Sequence, residues 1–114
     1  MTFAIKRPIE QHKRDSVVIV NVRASNKILD LYPQWKQANL QAQWSGLVFA
    51  DAQLGGGTLT NQNSSDGLAI QSTWSWIESV RNLSNATNTA ILAAIDYPTI
   101  LTLLSTFKTE IEAL

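Results

Sequence analysis

Three interruptions decide what this chain can fold into. Pro33 follows Tyr32, a run of turn formers fills residues 54–67, and Pro98 follows Asp96-Tyr97. Proline lacks a backbone N–H and pushes the residue before it out of helical geometry, so each X-Pro step ends a preceding helix. The middle run contains Gly55-Gly56-Gly57 and then Asn, Gln, Ser, Asp and Gly. Its side chains do not offset the entropy of ordering it, which predicts a flexible loop over 54–67. Four stretches are left between the breaks, each with apolar residues at helical spacing.

In the first, Val17, Val20, Ala24, Ile28 and Leu31 recur at that spacing and predict a helix over 9–32. Pro8 and Glu10 suit its start, because proline fits a first turn and an acid favours that end of the helix dipole. The β-branched run Val17-Val18-Ile19-Val20-Asn21-Val22 also admits a short strand at 17–22. A second helix is expected over 34–53, with Trp35, Leu40, Trp44, Leu47 and Phe49 as its apolar residues and Gly46 weakening it. A third is expected over 68–94, with Ile70, Trp74, Ile77, Val80 and Ser84 on one face. In the last segment, 98–114, Tyr97, Ile100, Leu104, Phe107, Ile111 and Leu114 alternate steps of three and four. That heptad seam fits either self-association or an amphipathic helix closing the chain's own core. The expectation is an all-α single domain over 1–114: a helical hairpin plus an amphipathic C-terminal helix.

Composition narrows the function. Net charge is zero and only 16% of the 114 residues are charged. Such a surface suits a protein covered by partners, homo-oligomers among them, better than a free monomer. Six cations, Lys6, Arg7, Lys13, Arg14, Arg23 and Lys27, gather before residue 28. They admit a nucleic-acid-binding module, but a solvated helix face is favoured, and no aromatic lies between Ile5 and Asp30 for bases to stack on. Neither a signal peptide nor a stretch long enough for a bilayer is visible, so the chain reads as made in the cytoplasm.

No catalytic constellation is legible. His12 is the single histidine and cysteine is absent, which leaves no local ligand set for zinc and no support for a Ser–His–Asp triad. Gly55-Gly56-Gly57-Thr58 lacks the Gly-Lys-Ser/Thr ending and the preceding strand of a phosphate loop. Glu110-x-Glu112 places two acids on different parts of a helix surface. The reading is therefore no enzyme, no cofactor and no metal.

Four tryptophans are dense for this length: Trp35, Trp44, Trp74 and Trp76. Large aromatics dominate small cores, and tryptophan is also enriched at interface hot spots. Trp74 and Trp76 lie about 200° apart on a helix, so one of them must meet a second packing layer or another chain.

Two blocks carry a resemblance. Tyr32-Pro33-Gln34-Trp35-Lys36-Gln37-Ala38-Asn39 resembles the first block, and Trp74-Ser75-Trp76-Ile77-Glu78-Ser79-Val80-Arg81-Asn82-Leu83-Ser84-Asn85 resembles the second block, of a group of small phage and prophage tail-region proteins. The resemblance covers residues 28–86, and this chain departs from the group by lacking a long fibre region. It implies a structural part of a tail, baseplate or tail fibre, built into a virion with other tail, baseplate or fibre proteins. It also implies a hairpin core holding Trp35 with Trp74 or Trp76, in which Lys36, Gln37, Asn39, Arg81 and Asn85 act as polar clamps near the indoles. Ile100, Leu104, Phe107 and Ile111 complete the expected structural and interface residues. A tail-fibre assembly chaperone that stays out of the particle is the alternative.

Overall fold

The computed structural model describes residues 8–114. Among them are four helices and no strand: α1 (Ile9–Leu31), α2 (Gln34–Leu54), α3 (Ser65–Ala93) and α4 (Tyr97–Ala113). The all-α expectation holds, and every expected helix is present. The basic residues Lys6 and Arg7 lie outside the described residues.

The β-branched run does not form the strand at 17–22. A strand would place Val18, Val20 and Val22 on one side. Instead Val20 is fully buried while Val18 and Val22 are exposed, and the buried row Lys13, Ser16, Val20, Ala24 follows helical steps. One well-buried face outweighs the small rotamer cost of the β-branched residues. The helix stops where Pro33 requires, with the Tyr32 N–H still reaching the Ile28 carbonyl at 2.7 Å.

The helices form two compact units, one from residues before Ile28 together with Val80–Leu114, the other from Ile28–Ser79. The first has a core of Val20, Ala24, Val80, Ile91, Ala94, Ile100, Phe107 and Ile111. Its interior is partly polar, because Lys13, Ser16, Ser84 and Thr87 are also buried. Lys13 Nζ donates to the Leu92 carbonyl at 2.9 Å, and Asn88 Nδ2 donates to Asn21 Oδ1 at 2.8 Å. The α4 seam is filled within this unit: Ile100, Phe107 and Ile111 are buried and Leu104 is half-buried, while Tyr97 and Leu114 are exposed. Of the two roles open to that heptad pattern, the packing here is that of a helix closing the chain's own core. Asp96 caps α4 by accepting the Thr99 N–H at 2.8 Å. Hydrogen bonding from the Thr99 side chain, and next from its backbone N–H, holds the Asp96 carboxyl below its ordinary pKa despite some desolvation.

The second unit holds the end of α1, α2, the joining loop and the first half of α3. Ile28, Ile70 and Ile77 are its buried apolar residues. The joining loop is shorter than expected, because α3 begins at Ser65 rather than near 68. Ser64 explains the early start: its Oγ accepts the Gly67 N–H at 3.1 Å, the N-cap bond to the third helical residue. A β-carbon on Gly67 would collide with the Gln62 carbonyl, so only glycine fits there.

Candidate functional site

Asp51 is the one fully buried carboxylate of the second unit, and it organises the loop. It stands in the last turn of α2, where a negative charge opposes the helix dipole. Its Oδ1 accepts the Asn61 N–H at 2.7 Å and Asn61 Nδ2 at 2.9 Å, and its Oδ2 accepts the Gln62 N–H at 2.9 Å. Burial pushes its pKa up, but the hydrogen bonds from Asn61 and Gln62 outweigh that and hold it below the ordinary value. Farther along, Gln71 Nε2 donates to the Gln62 carbonyl at 2.9 Å. These bonds stitch a loop that composition predicts to be flexible. Around Asp51, a shallow cleft of about 350 Å³ is lined by Val48, Gly55, Gly56, Gly57, Leu59 and Gln62 among others. Both carboxylate oxygens of Asp51 are engaged by the loop.

Among the described residues no group of three His, Cys, Asp or Glu side chains stands close enough to hold a metal ion. His12 lies against Tyr97, ring centroids 4.3 Å apart. No described helix is long and apolar enough to cross a membrane.

The tryptophans separate. Trp44, Trp74 and Trp76 are half-buried, and Trp76 packs against Tyr32 with ring centroids 5.7 Å apart. Trp35 does not join the hairpin core: it is 63% exposed, with Lys36 Nζ 5.5 Å from its ring. The reason is register. Pro33, Gln37, Leu40, Trp44, Leu47 and Asp51 form the inward row of α2, and Trp35 starts two residues off that row, about 200° around the helix. Of the expected polar clamps, Gln37 alone is half-buried, and its Nε2 donates to the Tyr32 carbonyl at 2.7 Å, closing the break before α2. Lys36, Asn39, Arg81 and Asn85 are exposed, so they do not clamp buried indoles.

What remains is a surface. Phe49 is 66% exposed on the same side of α2 as Trp35, and Lys36 is the single ionised side chain exposed along the whole helix. The sequence places Phe49 among the apolar residues of the second helix without assigning it a face. Its spacing of two heptads from Trp35 was the available signal that the two share a face. Neither protein-family models, nor curated proteins, nor solved structures give a match to this chain.

Proposed function

We propose that the chain is a non-enzymatic structural component of a tailed-phage particle, at the tail, baseplate or a tail fibre, acting through protein–protein contact. One observation carries the contact half of this reading. Two large aromatics, Trp35 and Phe49, stand exposed on a helix whose one exposed charge is Lys36, beside the Trp35 ring. Exposed aromatics on a charge-depleted patch are the usual anchors of an interface. The particle half comes from the two tryptophan-containing blocks and the tail-region proteins they resemble. Low overall charge is in keeping with a subunit whose surface is covered by neighbours.

Mass spectrometry of purified particles from the source phage or induced prophage tests the reading. The expected result is the chain at a fixed stoichiometry among the tail proteins. Its absence from particles sinks the proposal, and absence combined with failed fibre assembly on deletion would point to a chaperone.

A further inference from the structure

We draw no further inference here: the strongest candidate, the outward face of α2 that exposes Trp35 and Phe49, is an unpartnered helix face, and nothing in the structure shows what covers it.

Discussion

The ammonium of Lys13, on the second turn of α1, donates to the carbonyl of Leu92 at the end of α3 across 2.9 Å. The last four carbonyls of a helix have no partner inside it, and the dipole makes that end negative. A buried cation placed there satisfies both needs at once. Glu10, 3.7 Å from Lys13 Nζ, is mostly exposed and adds little.

Replacing Lys13 with methionine keeps the aliphatic stem and removes the charge. We expect a loss of about 1.5–3 kcal/mol, the range for hydrogen bonds to charged groups. Urea unfolding of parent and variant measures it. An unchanged midpoint would show that water serves Leu92 equally well.

Asp51 governs the loop through its charge. With its pKa held below the ordinary carboxylate value, its contribution is fully present above about pH 4 and is lost as pH falls through the folded-state pKa. Amide exchange at Asn61 and Gln62 should therefore be protected at neutral pH and lose that protection in strong acid. Asp51→Ala should remove protection at every pH and make residues 55–63 the first site of proteolysis. Equal protection in parent and variant would refute the role.

Phe107 is only 1% exposed, at the centre of the seam on α4. Truncation to alanine should cost about 3–5 kcal/mol, a large share of the roughly 5–15 kcal/mol by which domains are stable. Thermal melts followed by circular dichroism should show a marked drop at all protein concentrations. A drop confined to high concentration would mean that the seam serves association after all.

Trp35→Ala should behave oppositely to Ile77→Ala. An exposed residue outside any bonded network changes stability by no more than about 0.5 kcal/mol, whereas truncating a fully buried isoleucine costs about 2–5 kcal/mol. A Trp35→Ala chain that melts as low as Ile77→Ala would place the indole in the core.

The helices were legible because their boundaries are chemical: Pro33 and the three glycines bound α2, and Pro98 stands in the first turn of α4. The burial of Val20 and Phe107 followed from periodicity. What periodicity cannot say is which chain fills a seam, and so the α4 pattern alone left its partner open. Trp35 was misread because size suggested burial, while the register set by Pro33 and Gln37 turned it outward. Asp51 was invisible for a different reason. Its partners Asn61 and Gln62 lie across a loop, and no repeat links a carboxylate to amides ten residues on. Ser64 carried a readable cap signal, a serine followed by Asp66 in the first turn, that the polar composition of the loop obscured.

Gly55, Gly56 and Gly57 all have φ between 64° and 72°, the half of conformational space that suits mirror-image residues. The turn leaving α2 is thus handed in structure though built from the one amino acid that has no handedness. These backbone angles are the mirror images of ones that L residues adopt, so D-alanine would take them without backbone strain and L-alanine would not. D-alanine there should narrow the unfolded ensemble and hold the turn more firmly, while L-alanine should loosen it. Chirality, rather than size or polarity, is the property on which this turn discriminates.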